Sequence, residues 1–205
     1  MAEAFKCDLI SFDEVYELSY QLSISIKETG FRPDIVVAIS RGGFTPARLL
    51  CDFLGITDLT SVKVQHYQHG AQKEKQAYLK FPLSGSIEGK KVLLADDVND
   101  TGESLQVAYN HLLENYPKEL KTAVLHEKDN TTFKTDYYQE FLKEWRWIIY
   151  PWAQVEDLGS FIEELDPPVH TVEDAARELK KKYDITVSIH QLHIIFQILG
   201  LSVDI

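Results

Sequence analysis

Two short, almost wholly apolar runs stand out from a polar background: Ile35-Val36-Val37-Ala38-Ile39 and Val92-Leu93-Leu94-Ala95. Apolar runs of this length, bounded by turn signals, predict strands buried on both faces. Lys121 to His126 predicts another, with Ala123 and Leu125 on one face. Between these runs the period becomes helical. Val15, Leu18, Leu22 and Ile26 form a stripe behind the capping box Ser11-Phe12-Asp13-Glu14, and Gly30 ends it. Thr45 with Pro46 predicts the cap and first position of a second helix, with Leu49, Leu50 and Leu54 facing inward and Gly55 closing it. A third is predicted from Ser104-Leu105 through Val107, Ala108, Leu112 and Leu113. Residues 61 to 66 alternate, with Val62 and Val64 on one side. Leu79 to Leu83 predicts a return strand and Arg146 to Tyr150 a late one. Strands alternating with helices predict an α/β fold on a parallel sheet, with ligands outside the strands' carboxyl ends.

Two stretches depart from that alternation. Tyr67 to Tyr78 (YQHGAQKEKQAY) is polar and without steady period, which predicts an exposed loop. Asp166-Pro167-Pro168 is a break. Beyond it Thr171 starts a helix with Val172, Ala175, Ala176, Leu179 and Tyr183 on one face. Ser188 starts another with Ile189, Leu192, Ile195, Phe196 and Leu199. The organisation expected is a main domain over residues 1–168 and a small helical appendage over 169–205, packed on that domain or on a second subunit. A helix-turn-helix DNA reader is the alternative for the appendage. Its support is a modest basic cluster, Arg177 with Lys180 to Lys182, beside a largely neutral second helix.

The 205 residues suffice for one main domain with a sizeable core. A net charge of -11 argues against a nucleic-acid-binding surface. Cys7 and Cys51 give no disulfide framework, and Cys51 falls among Leu49, Leu50 and Leu54, a packing position. No apolar run approaches the ~20 residues of a membrane span, and MAEAFKCDLI lacks a signal peptide's layout. A cytoplasmic location is expected. The histidines show no metal-ligand spacing.

The candidate chemistry is concentrated in VLLADDVNDTGESL, Val92 to Leu105. An apolar strand delivers two acids, Asp96 and Asp97. A turn over Val98, Asn99, Asp100, Thr101 and Gly102 follows, and then, past Glu103, a helix start at Ser104-Leu105. The amides of a helix N-terminus favour a phosphate. Gly102 permits close backbone approach, and the hydroxyls of Thr101 and Ser104 add donors. The two carboxylates suit sugar hydroxyls or a hard cation such as Mg²⁺. Ser40-Arg41-Gly42-Gly43, after the first apolar strand, offers a second amide cradle with a cation beside it.

Two acids followed by Asp100-Thr101-Gly102 behind a four-residue apolar strand resemble the 5-phosphoribosyl-1-pyrophosphate (PRPP) motif of type I phosphoribosyltransferases. Ser40-Arg41-Gly42-Gly43 resembles their pyrophosphate loop, and Trp147-Ile148-Ile149-Tyr150-Pro151-Trp152 resembles the W-x-x-x-P-W stretch of the bacterial xanthine-guanine enzymes. These three motifs, with the lysine after the Lys121–His126 strand as a fourth, span roughly residues 10–160. The resemblance implies an α/β, parallel-sheet type I phosphoribosyltransferase fold with a hood region and the C-terminal helical appendage. It implies transfer from PRPP to a 6-oxopurine (guanine, hypoxanthine or xanthine) with Mg²⁺, in a homodimer or homotetramer with no nucleic-acid or membrane partner. A phosphoribosyltransferase for another base such as adenine, or a non-catalytic PRPP or nucleotide sensor, are the alternatives.

Residue by residue, the resemblance assigns the ribose hydroxyls to Asp96 and Asp97, with Asp97 also near the metal. The 5′-phosphate goes to the segment from Val98 and Asn99 through Asp100, Thr101, Gly102 and Glu103 to Ser104. The pyrophosphate goes to Ser40, Arg41 and Gly42, and the bond before Arg41 is often cis in the family. Asp100 is the acid/base beside N7. Lys73, with Lys75 on the same loop, brings a cation when the loop closes. Lys128 meets the 6-oxo group, Trp147 stacks on the base and the Ile148 backbone meets its C2 edge. Three departures stand: Glu103 replaces a usual small residue, Lys73 an arginine, and Ala153 an acid near the C2 group.

Overall fold

The computed structural model describes residues 5–68 and 75–201. In chain order the first elements are β1 (Cys7–Leu9), α1 (Phe12–Glu28), β2 (Ile35–Ser40), α2 (Phe44–Leu54), β3 (Leu59–Gln68) and β4 (Lys75–Phe81). There follow β5 (Lys91–Asn99), α3 (Glu103–Leu113), β6 (Glu119–Lys128), β7 (Tyr137–Leu142) and β8 (Trp147–Ile149). The chain ends with α4 (Gln154–Glu163), α5 (Val172–Tyr183) and α6 (Ile189–Leu199). It divides into two compact units, one formed by Asp13–Trp145, the other by the two ends of the chain, up to Phe12 and from Arg146.

In the Asp13–Trp145 unit the predicted parallel sheet is present, in the order β4-β3-β2-β5-β6-β7, antiparallel only between β3 and β4. The two apolar runs lie side by side at its centre, Ile35 opposite Val92 and Ala38 opposite Ala95. Alternate residues face opposite layers. Ile35, Val37 and Ile39 share one side with Val92 and Leu94, in a core that Leu105, Ala108 and Leu112 of α3 cover. Val36, Ala38, Leu93 and Ala95 are equally buried on the other side. Full burial of one aliphatic side chain stabilises by about 1.5–3 kcal/mol. That explains why these strands stay apolar until they reach Ser40 and Asp96.

The helices differ in detail from expectation. α1 buries Val15, Leu22 and Ile26, with Ser19 and Ser23 filling the stripe where Leu18 is only half buried. α2 begins at Phe44 behind Gly43, so Thr45 is not the cap. Pro46 is the third helical residue, still within the turn whose N–H groups lack helical acceptors. Gly55 closes the helix at φ 71°. α3 begins one residue early, at Glu103, behind Gly102.

Several strands are longer or more numerous than predicted. β5 runs through Asp96, Asp97 and Val98 to Asn99, which shortens the expected turn to Asp100–Gly102. At the two ends of the loop expected over Tyr67 to Tyr78, β3 and β4 pair instead, Tyr67 opposite Gln76 and Gln68 opposite Lys75; residues 69–74 lie outside the described residues. β7 was not predicted because Tyr137–Leu142 is an edge strand with no buried residue.

In the other unit, the late strand β8 pairs in parallel with β1 and belongs to a two-stranded sheet, not to the large one. α4 was not predicted; Gly159 interrupts its pattern because Leu199 packs there, 3.3 Å from where a Cβ would stand. α5 and α6 have the predicted caps, Thr171 and Ser188, the second a full capping box. Their buried residues Ala175, Leu179, Tyr183, Leu192, Ile195 and Phe196 form one core with Cys7, Ile149, Leu158, Phe161 and Ile162. The helices expected as an appendage after Pro168 thus share the core of α4, β1 and β8, and the compact units part before Arg146 instead. Cys51 is buried as expected. No helix among the described residues is long and apolar enough to cross a membrane.

Candidate active site

The site lies in the Asp13–Trp145 unit, where β2, β5 and β6 end together. Ser40 terminates β2, and its hydroxyl donates to the Val62 carbonyl at 3.0 Å. The Ser40–Arg41 peptide is cis, as the resemblance implied. The chain then turns tightly, the Gly43 N–H donating to Ile39 O at 2.9 Å and the Phe44 N–H to Arg41 O at 3.1 Å. Both glycines are required by space. A Cβ on Gly43 would collide with the carbonyl oxygens of Ile39 and Ala95, and one on Gly42 with the Asp97 carboxylate.

Asp96 and Asp97 stand at the end of β5. The Asp97 N–H donates to Asp96 Oδ1 at 3.0 Å, and the Val98 N–H donates to Asp97 Oδ1 at 2.8 Å. Asp96 is buried. Burial pushes its carboxyl well above the usual carboxylate range, and the neighbouring charge of Asp97 adds to that. Asp97 is therefore the better seat for a cation. Among the described residues no group of three or more acidic, histidine or cysteine side chains could hold a metal alone. A site of one or two carboxylates completed by substrate oxygens and water is the arrangement Mg²⁺ favours, and these donors fit it.

The turn after β5 brings the chain back through Gly102, at φ 92°, which caps α3 without any side-chain hydrogen bond. A Cβ at Gly102 would stand 2.7 Å from Phe133 N and from Thr131 Oγ1. Thr132 secures the turn, its N–H and its hydroxyl both donating to Thr101 O at 3.0 Å. The α3 N-terminus keeps the character of an anion cradle. Two of its residues are already touched: His66, on β3, places Nδ1 3.5 Å from Glu103 Oε2 and Nε2 3.2 Å from Ser104 Oγ.

Asn99 points away from this cradle. Its amide donates to Phe133 O at 2.6 Å and to Glu127 Oε2 at 3.3 Å, and it accepts from Thr131 Oγ1 at 3.0 Å. Glu127 also accepts from the N–H and hydroxyl of Thr135, at 2.9 and 2.5 Å. This buried network ties the segment after β6 to β5. Any role of Asn99 toward a phosphate is thus left to its backbone.

Asp100 and Lys128 meet directly. Lys128 Nζ, almost fully buried at the end of β6, donates to Asp100 Oδ2 at 2.8 Å. Asn130 Nδ2 and the Trp145 indole N–H both donate to the other oxygen, Oδ1, at 3.1 and 3.3 Å. The Trp145 ring lies under the ammonium, 4.7 Å from Nζ. Asn130 and Trp145 were not singled out from the sequence, and His66 was expected only as a packing or surface residue. No motif marks them; they reach the site because the sheet sets His66 on β3, Asn130 after β6 and Trp145 after β7 near the end of β5.

The structure thus gathers Ser40, Arg41, Gly42, Asp96, Asp97, Asp100 to Ser104 and Lys128 in one unit. Trp147 and Ile148 belong to the other unit, on β8, where Ile148 is buried and the Trp147 N–H donates to Lys6 O at 3.0 Å. Lys73 lies outside the described residues, and Lys75 starts β4.

This arrangement is similar to known proteins. The chain is 27% identical over 180 residues to a hypoxanthine-guanine phosphoribosyltransferase of Schizosaccharomyces pombe, covering 69% of this chain and 86% of that protein. It is 28% identical over 153 residues to a xanthine-guanine phosphoribosyltransferase of Ruegeria, covering 70% and 83%. The crystal structure of a purine phosphoribosyltransferase from Pyrococcus horikoshii superposes with a TM-score of 0.64 at 28% identity, over 72% of this chain and 93% of that one. Residues 5–155, and with them both glycine turns, the paired acids and the lysine after β6, match the phosphoribosyl transferase domain, and the chain belongs to that family.

Proposed function

We propose that the protein transfers the 5-phosphoribosyl group of PRPP to N9 of a 6-oxopurine, giving the nucleoside 5′-monophosphate and pyrophosphate. The observation that carries this reading is the pairing of buried Lys128 with Asp100 beside the acids of β5. Lys128 offers only donors, so a 6-oxo group can accept from it, whereas adenine's 6-amino group, itself a donor, finds no acceptor there. The names of the curated relatives, which act on hypoxanthine, guanine and xanthine, support the same substrate class.

In the reaction the bond from C1′ to the pyrophosphate oxygen breaks, and the electron pair leaves with pyrophosphate. The N9 lone pair forms the new bond to C1′, and the proton on N7 passes to Asp100. Asp96 and Asp97 orient the ribose hydroxyls, and the amides from Asp100 to Ser104 hold the 5′-phosphate. Arg41 and the Gly42 turn receive the pyrophosphate. Mg²⁺ bound at Asp97 would neutralise the charge that the pyrophosphate gains. Lys73 is assigned to cover the pyrophosphate, excluding water that would hydrolyse PRPP.

The test is a panel of guanine, hypoxanthine, xanthine and adenine with PRPP and Mg²⁺, following pyrophosphate release. Turnover of at least one 6-oxopurine and little of adenine is expected. A preference for adenine would overturn the assignment of Lys128. PRPP binding with no pyrophosphate release from any base would overturn the enzyme reading in favour of a sensor.

A further inference from the structure

We infer that Trp145, with Asn130, is a positioning residue that fixes which oxygen of Asp100 serves as the base; the inference rests on the purine reading above. The two carboxylate oxygens of Asp100 are held differently. Oδ1 takes two neutral donors, the Asn130 amide at 3.1 Å and the Trp145 indole N–H at 3.3 Å. Oδ2 takes only the Lys128 ammonium among the bonds described, at 2.8 Å.

An entering 6-oxopurine supplies its own partner for each end of that ion pair: O6 accepts from Lys128 and the N7 proton goes to Asp100. Oδ2 is therefore the oxygen released when Lys128 turns to the base, and Oδ1 remains clamped. Without that clamp the carboxylate could rotate after losing Lys128, and the proton acceptor would lose its alignment.

The indole makes a second contribution. Its ring faces Lys128 Nζ at 4.7 Å, so the ammonium keeps one favourable contact when it leaves Asp100. Trp145 thus holds both members of the pair while the base exchanges with each. Nothing in the family resemblance assigns this position, which lies outside the matching motifs.

Two substitutions separate the effects. Trp145→Phe keeps a ring under Lys128 and removes the N–H. Trp145→Leu removes both. Trp145→Phe is expected to lower kcat with guanine by about tenfold, the scale of a hydrogen bond to a charged group, while leaving KM for PRPP unchanged. Asn130→Ala should do the same. Trp145→Leu should in addition weaken GMP, measured by calorimetry, relative to ribose 5-phosphate, which lacks the base. Wild-type kcat in both Trp145 variants, with an unchanged ratio of GMP to ribose 5-phosphate affinity, would overturn the inference and make Trp145 a packing residue. Wild-type protein that binds GMP no tighter than ribose 5-phosphate would overturn the purine reading itself, and the inference with it.

Discussion

Gly42 and Asp97 compete for one volume: a Cβ on Gly42 would stand 2.6 Å from Asp97 Cγ. Ordinary carbon–carbon contact is about 3.5–4.0 Å, so an added methyl must displace the carboxylate by about 1 Å. A displacement of that size at a reacting group can cost about a hundredfold in rate. Gly42→Ala is therefore expected to lower kcat/KM for PRPP by about two orders of magnitude with little change in Tm, because the glycine is on a surface turn. Near-wild-type kinetics would mean that Asp97 has no part in holding PRPP or its metal.

His66 lies beside Glu103, where the sequence departs from the family pattern. Glu103 puts a carboxylate at the α3 N-terminus, where the phosphate is assigned, and like charges there should weaken binding. His66 stands 3.5 Å from that carboxylate and 3.2 Å from Ser104 Oγ. His66→Ala is expected to raise KM for PRPP several-fold, because it removes the neighbour of that carboxylate and of the Ser104 hydroxyl. Glu103→Ala in the same chain should recover most of the loss. A double-mutant cycle measures that coupling, and strictly additive effects would show that the two side chains act separately.

Much of the large sheet was legible because its central strands have no choice. Ile35–Ile39 and Val92–Ala95 cannot be solvated, and the acids and glycines that follow each run mark where the chain leaves the core. Elements that bury little left no such trace. β7 is an edge strand with no buried residue, and the paired ends of β3 and β4 lie in a polar stretch without a steady period, so composition read them as loop. Gly159 broke the helical pattern of α4 for a reason that lies 40 residues away, at Leu199. The site was legible where glycine and aspartate recur at fixed spacing. It was not where one side chain acts on another across the sheet: nothing in a tryptophan two residues before Trp147 announces a hydrogen bond to Asp100.

The two cysteines should be inert in the folded protein. Burial pushes the Cys7 thiol up to about 12, with Asp157 and Asp8 adding to the effect. Burial also raises Cys51, against a smaller opposing effect of Arg48. The thiolate is the reactive form, so neither should react with a disulfide reagent at pH 8 within the native state. Both should react at once in denaturant. Fast labelling of either in native protein would show that its burial is transient.

The C-terminal helices supply a further test, because their burial makes them structural partners of α4, β1 and β8. Phe196 is fully buried in the core that also contains Leu158, Ile162, Ile149 and Cys7. Truncating a residue so placed costs about 3–5 kcal/mol, so Phe196→Ala should lower the denaturation midpoint strongly. Ser188→Ala, which removes the capping box of α6, should cost about 1 kcal/mol. Ending the chain after Pro168 would expose the apolar faces of α4 and of the β1–β8 pair, and such a fragment is expected to aggregate. A soluble fragment with the wild-type midpoint would mean that α5 and α6 are an appendage after all. The contrast is decisive because an appendage could be lost without uncovering Phe161 and Ile162, whereas a shared core could not.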